Sequence, residues 1–211
     1  MRIVQPSATL EYPGSTWECY DMLRHIERAG RTCYKSESVL TVETASSFVE
    51  MIIKSGHESV LEHASASVRF VCDRGISHEI VRHRLASYSQ ESTRYCNYSK
   101  EKFGREITFV DPRPHLSEIE FNLWKRGCLN AEAYYFGMID AGAKPQMARS
   151  LLSNSLKTEL VMTANLREWR HFFRLRTAKA AHPQLRQIAQ PLLATFRERF
   201  SPVFDDVGVV A

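Results

Sequence analysis

The sequence predicts an α+β fold, with a mixed or antiparallel sheet flanked by long helices. Three observations carry this. The run Ser65 to Asp73 alternates apolar Ala66, Val68, Phe70 and Cys72 with polar Ser65, Ser67 and Arg69, the pattern of a half-buried strand. The stretch Ser117-Glu118-Ile119-Glu120 is a capping box, and it opens a helix that reaches about Ala141, with Gly142 as its stop. Strand-like and helix-like segments then follow one another without regular βαβ alternation.

Taken in order, Arg2 to Tyr12 (RIVQPSATLEY) is predicted as a first strand. Thr41 to Ser55 is predicted as a helix. Val42, Ala45, Val49 and Ile52 share a face with Phe48 beside them, Thr41 caps the start, and Gly56 ends it. After the 65–73 strand, Asp73 offers an N-cap for a helix from about Arg74 to Leu85. The loop ASYSQESTRY follows. Ile107 to Val110 is a short strand before Pro112. Pro145 suits the first turn of a helix. Glu159 to Ala164 is predicted as a strand, and Leu166 to Arg176 as a helix. A last helix runs from Pro183 to Phe200, with Leu185, Ile188, Leu192 and Phe196 on one face. No repeat, low-complexity segment or linker interrupts the chain, so residues 1–211 read as one compact unit.

The composition narrows the function. In 211 residues, 44% are hydrophobic and 25% charged, which is globular rather than disordered. The formal charge is +4, suited to an anionic ligand but weak for a nucleic-acid footprint. The five cysteines are odd in number and show no C-x-x-C, so neither a disulfide framework nor a zinc site is expected. No apolar leader or spanning run is present, and a reducing cytoplasm is the default location. No Gly-x-Gly, P-loop or His-Glu-x-x-His occurs. Phosphates of any bound nucleotide are therefore expected to meet side chains rather than a glycine-rich turn.

The chemistry concentrates in Val81 to Tyr95, VRHRLASYSQESTRY. Arginine offers a planar fork of donors that matches phosphate or carboxylate oxygens. On a helix end, Arg82, His83 and Arg84 would point about 100° apart. That geometry favours two anionic ligands, or one ligand and a partner subunit. The bland alternative is a solvated basic helix end. The continuation through Ser92 and Arg94, with few acids nearby, weighs against it. A second cluster, Gly56 to His63 (GHESVLEH), holds two histidines and two carboxylates. His57 and His63 lie six apart and lack an evident third ligand, so no metal site is expected; a flavin-contact or proton-transfer role for His57 stays open. A third segment, Asn165 to Arg176 (NLREWRHFFRLR), places Leu166, Trp169, Phe172 and Phe173 on one helix face, with Arg167, Arg170, His171 and Arg174 mostly around the other.

These segments together resemble one family. RHRLASYSQESTRY is similar to the RHR-x7-S motif of the flavin-dependent thymidylate synthases, the thymidylate synthase complementing family. GHESVLEH upstream, ARSLLSNSLKTELVMTANLREWRHFFRLR downstream and AHPQLRQIAQ after it stand in family-like order across residues 56 to 190.

The resemblance implies a homotetramer with shared active sites. It would make dTMP from dUMP with methylenetetrahydrofolate as carbon donor and FAD, reduced by NADPH, as hydride source. By position, Ser59, His57, His83 and Arg84 resemble FAD contacts, and Arg82 stands at the junction of FAD and dUMP. Asn165, Arg167 and His171 correspond to further flavin contacts. Glu79 takes a dUMP-side position. Gln90, Glu91, Ser92, Thr93 and Arg94 resemble the nucleotide-binding loop, and Arg149 resembles a dUMP-binding arginine from a separate segment. Arg176 resembles the arginine beside the pyrimidine, which favours ionised N3 and activates C5. Three departures stand out: Ser89-Gln90 where many members have Asn-Glu, Ser153 in place of a common proline, and His182 where glutamine is frequent. None removes an arginine with an implied role.

Methylating C5 requires electron density there. No cysteine lies inside the motif, and Ser92 has no evident base, so arginine-based electrostatic activation is favoured over a covalent nucleophile. Catalytic roles thus fall to Arg176 and Ser92, the latter holding and polarising the ring. Two other classes compete: a nucleic-acid-binding module using the arginines as a basic surface, and a serine hydrolase built on Ser92 and His57. The first is opposed by interleaved acids such as Glu79 and Glu168, the second by the lack of a Gly-x-Ser-x-Gly elbow. Neither nucleic acid nor membrane is expected as a partner.

Overall fold

The computed structural model describes residues 1–36 and 41–208. Strands β1 (Arg2–Val4) and β5 (Thr108–Val110) pair in parallel, Ile3 opposite Phe109. The other four strands, β2 (Ser7–Tyr12), β3 (Ser65–Asp73), β4 (Ala86–Gln90) and β6 (Lys157–Asn165), form an antiparallel sheet in the order β2-β3-β6-β4. Helices α1 (Thr16–Tyr34), α2 (Val42–Lys54), α3 (Arg74–Ile80), α4 (Glu118–Asp140), α5 (Pro145–Ala148), α6 (Leu166–Arg176) and α7 (Pro183–Arg199) complete the fold. This is the mixed helix-and-sheet class that the sequence predicts.

Most elements follow from local rules. β3 alternates buried and less buried side chains along its length. α4 begins at a capping box of Ser117 and Glu120, and Gly142 just beyond it adopts φ +91, which a glycine tolerates and other residues resist. α2 buries Ala45, Phe48, Val49 and Ile52.

Four features differ from the sequence reading. The expected first strand is two strands in different sheets, because Pro6 has no N–H to donate to a ladder. α1 was not anticipated, although Ser15 and Glu18 form a capping box at its start. α3 stops at Ile80 rather than Leu85, and its N-cap is Asp73 as expected. Finally, ASYSQ is strand β4, not loop.

The chain divides into two compact units. The first comprises Met1–Ser7, Phe70–Arg82 and Ser89–Leu160. Its core gathers Tyr98, Ile107, Phe109, Cys128, Tyr135, Ala148 and Leu156. The Met1 ammonium is held here by Glu106 and Glu132 at 3.3 and 3.1 Å.

The second comprises Ala8–Arg69, His83–Tyr88 and Val161–Ala211. Its core is aromatic: Trp169 and Phe173 of α6, with Phe172 against both, meet Phe196 of α7, then Phe200 and Phe204. Each such fully buried ring contributes on the order of 2–3 kcal/mol. The helix pair α1 and α2 packs closely because residue 30 is glycine; a Cβ there would run into the Phe48 ring. Buried Glu27 accepts from Arg31 Nε at 2.8 Å and Thr44 Oγ1 at 3.0 Å, which ties the two helices together. Among the described residues, no helix is long and apolar enough to cross a membrane.

Candidate active site

The site residues separate into two groups, one in each unit. In the first unit, the chain leaves α3 through Val81, whose N–H bonds to Ser77 O, and Arg82 begins a turn. Arg82, His83 and Arg84 are therefore not helical, and the 100° spacing does not set their directions. They are exposed, buried and exposed in turn.

β4 carries the chain onward. Gln90, at its end, donates to Ser77 Oγ (2.9 Å) and Thr158 Oγ1 (3.2 Å). Glu91 N bonds to Glu159 O, and the Glu91 carboxylate accepts from Tyr98 OH at 3.0 Å and Lys157 Nζ at 3.2 Å. Burial, then the Glu91 charge, pushes the Tyr98 phenol well above its usual range, so it stays a donor. Both Gln90 and Glu91 thus serve the framework that holds the next turn.

That turn is built on Ser92. Its carbonyl accepts from Tyr95 N and Cys96 N, and its hydroxyl accepts from Arg94 N at 3.3 Å. Among the described residues, no histidine or carboxylate touches the Ser92 hydroxyl. Thr93 is buried, and Arg149 Nη1 reaches it from the end of α5, donating to Thr93 Oγ1 at 3.1 Å. Arg94 is exposed and lies over the Tyr95 ring at 5.6 Å. Glu79 is half-buried on α3.

The second unit holds the remaining residues around α6. Asn165 is its N-cap and accepts from Glu168 N at 2.8 Å. The segment 56–63 packs against this helix through Glu58, which accepts from Arg170 and Arg174, both at 3.0 Å. Arg167 pairs with Glu62 at 2.6 Å. His57 and Ser59 are exposed on this segment. Arg170 departs from the sequence reading, which put it on the wet face. It is 0% exposed because Glu58, both oxygens of Asp206 and the Val203 carbonyl take its donors.

His83 lies in the same unit and is 3% exposed. Its Nδ1 is 3.0 Å from Glu168 Oε1, its Nε2 is 3.1 Å from Arg176 Nε, and its carbonyl accepts from the Tyr88 hydroxyl. The Phe172 ring lies 5.0 Å away and the His171 ring 5.5 Å away. Burial lowers the His83 pKa, and the Arg176 and His171 charges lower it further, against the hydrogen bond and charge of Glu168. The balance favours the neutral ring. Tyr88 is pushed up to about 12, chiefly by burial and then by Glu168.

His83, Glu168 and His171 each offer a ligand atom, all within 4.8 Å of one another, close enough for one metal ion to bridge. The Arg176 guanidinium on His83 places a fixed positive charge against such an ion. A cavity of about 450 Å³ opens beside these residues, lined among others by Leu85, Asn165, Arg167, Glu168, His171 and Arg174.

The structure therefore brings Thr93 to Arg149 and His83 to Arg176, pairs distant in sequence. It ties Gln90 and Glu91 into internal hydrogen bonds. Sequence reasoning gave no site role to Glu58, Glu168, Arg174 or Lys157. Glu168 and His171 stand one helical turn apart, and that i,i+3 spacing was the available signal. Glu58 and Lys157 had none, because their partners are far along the chain.

The family model described as thymidylate synthase complementing protein matches residues 18–202. The chain is similar to the flavin-dependent thymidylate synthase of Geobacter sulfurreducens, with 33% identity over 85% of this chain and 79% of that protein. It is 37% identical to the protein of that name in Pyrococcus furiosus over 70% of this chain, and the match spans 61% of that relative's length. The Mycobacterium avium protein of the same name is 34% identical over 87% of this chain and 79% of its own length.

Proposed function

Since the chain belongs to the thymidylate synthase complementing protein family, we propose that it makes dTMP from dUMP in a flavin-dependent reaction. Methylenetetrahydrofolate would donate the carbon and NADPH the reducing equivalents. The observation that carries the reading is the meeting of Arg149 with Thr93 beside the Ser92 turn. A cation, hydroxyls and turn N–H groups gathered without a glycine-rich loop suit a nucleotide phosphate. Arg94, exposed on the same turn, adds a second cation. Glu79 and Arg82 are assigned to the dUMP side as well.

The second unit's donors fit the flavin. Arg167 and Arg174 at the cavity supply cations for a diphosphate, and Leu85 and His171 supply apolar and aromatic surface. Asn165, His57, Ser59, His83 and Arg84, with Arg82 at the junction with dUMP, complete the residues assigned to FAD. When bound and reduced by NADPH, FAD would supply the hydride. Arg176 is assigned to the uracil, where its donors stabilise negative charge on the ring oxygens and so raise electron density at C5. Ser92 holds the pyrimidine as a hydrogen-bonding group. A serine nucleophile needs a base, and the described residues give Ser92 none.

A homotetramer with shared active sites accords with α4, which buries only Cys128 and Tyr135. Ile119, Leu123 and Tyr134 stay exposed along it, apolar surface that a second copy would cover. A reducing cytoplasm would keep the free cysteines as thiols. The visible spectrum and turnover test the whole reading. The purified protein is expected to be yellow, to oxidise NADPH faster with dUMP present, and to form dTMP when methylenetetrahydrofolate is added. A colourless protein that FAD does not reconstitute, and that forms no dTMP, would sink it.

A further inference from the structure

We infer that Glu168 is a positioning residue: its buried carboxylate holds His83 so that the ring's Nε2 accepts the Nε–H of Arg176 and fixes that guanidinium. The inference rests on the proposed role of Arg176. Its geometry lies wholly within the second unit.

The argument starts from donors and acceptors. An ionised carboxylate only accepts, so the His83 nitrogen facing Glu168 must carry a hydrogen. A guanidinium only donates, so the nitrogen facing Arg176 must offer a lone pair. The two neighbours demand the same neutral tautomer, with hydrogen on Nδ1 and none on Nε2. A second proton on the ring would set an N–H against the Arg176 N–H.

The surroundings remove alternatives. His83 and Glu168 are buried, at 3% and 8% exposure, so water cannot readily replace either partner. Phe172 packs beside the ring, and the Tyr88 hydroxyl pins the His83 carbonyl. Asn165 caps the helix start by accepting from Glu168 N, which fixes where the carboxylate begins. The sequence of contacts is thus acid, imidazole, guanidinium, in which the carboxylate also balances the arginine charge. Glu168 orients the arginine through one neutral ring, as a carboxylate behind a working histidine does elsewhere.

The test uses the full-length protein labelled with 15N and reads His83 directly. Wild type is expected to show one neutral tautomer at pH 7, protonated at Nδ1. A ring protonated at Nε2, or a charged ring, would overturn the inference. In Glu168→Ala the single tautomer is expected to give way to a mixture, and kcat for dTMP formation to fall on the order of 10- to 100-fold. Flavin content is measured in parallel, and kcat is expressed per bound flavin. A variant that keeps both the tautomer and kcat within twofold of wild type would overturn the inference.

Should Glu168→Ala not fold, Glu168→Gln keeps the size and removes the charge. It is expected to lower kcat about tenfold, and to cost less than twofold more once Arg176 is already alanine. Losses that multiply in the double variant would mean that the two residues act separately. If wild type makes no dTMP at all, the proposed function fails, and the tautomer spectrum still decides the role of Glu168.

Discussion

The Ser92 turn of the first unit and helix α6 of the second hold their charges in opposite ways. Around Ser92 the bonds are short-range and mostly to backbone, and Arg94 and Arg149 stay exposed. Around α6 the charges are cross-linked about buried members: buried Arg170 pairs with half-buried Glu58 and exposed Asp206, and buried Glu168 and His83 join half-buried Arg176. A substrate must enter and leave, so a turn whose cations stay in water accommodates it without leaving buried charge behind. A group that polarises a ring must already be aimed before the ring arrives, which requires neighbours that hold it. On the roles proposed above, the difference separates binding from activation.

The sharpest way to break this contrast is Arg176→Ala. Turnover is expected to fall about 100- to 1,000-fold, the range seen when one preorganised donor is removed. Flavin absorbance should persist, because Arg176 is not among the residues assigned to FAD alone. Full activity in steady-state assays would remove the activating role from the α6 side.

Next in size is Arg170→Met, which tests the buried cluster as structure rather than chemistry. Removing the buried cation leaves Glu58 and Asp206 only Arg174, at 3.0 and 4.0 Å, and stability should drop by about 3 kcal/mol. The pH dependence gives a second reading. Burial raises the Glu58 and Asp206 pKa values, but hydrogen bonds from Arg170, with Arg174 at Glu58, outweigh it and bring both below their ordinary 4.5 and 3.8. Carboxylates with lowered folded pKa values stabilise above those ordinary values, and the contribution is lost as pH falls through the folded ones. Wild type should therefore lose melting temperature on acidification below about 4.5, and Arg170→Met should show a flatter slope in that window. Equal slopes by calorimetry would detach the cluster from acid stability.

The smallest effect is expected for Ser92→Ala. Its hydroxyl accepts one backbone N–H at 3.3 Å, so stability should change by less than about 1 kcal/mol. Turnover should survive within roughly tenfold, most of it as a raised KM for dUMP. Abolished turnover with dUMP still bound would make Ser92 a nucleophile and move activation into the first unit.

Much of this was legible because it depends on neighbours in the chain. The alternation of β3, the capping box of α4 and the apolar face of α7 are local patterns, and each formed where its residues direct. α1 carried the same kind of signal at Ser15 and Glu18 and was legible in principle. The helix reading of Arg82 to Arg84 failed at Ile80, because the chain there turns into β4 and its hydrogen bonds go to a sheet. That choice depends on a strand seventy residues away in sequence, which local propensity does not see.

The sequence by itself determined the mixed fold class, strand β3, helices α2, α4, α6 and α7, and the inventory of arginines, hydroxyls and histidines offered to an anionic ligand. Tertiary structure decided which of these charges are wired to one another. It buried Arg170 between two carboxylates, seated Arg149 on Thr93, and set His83 between Glu168 and Arg176. The reason is physical: burial makes a charge depend on partners, and those partners come from segments that only the folded chain brings within hydrogen-bond reach.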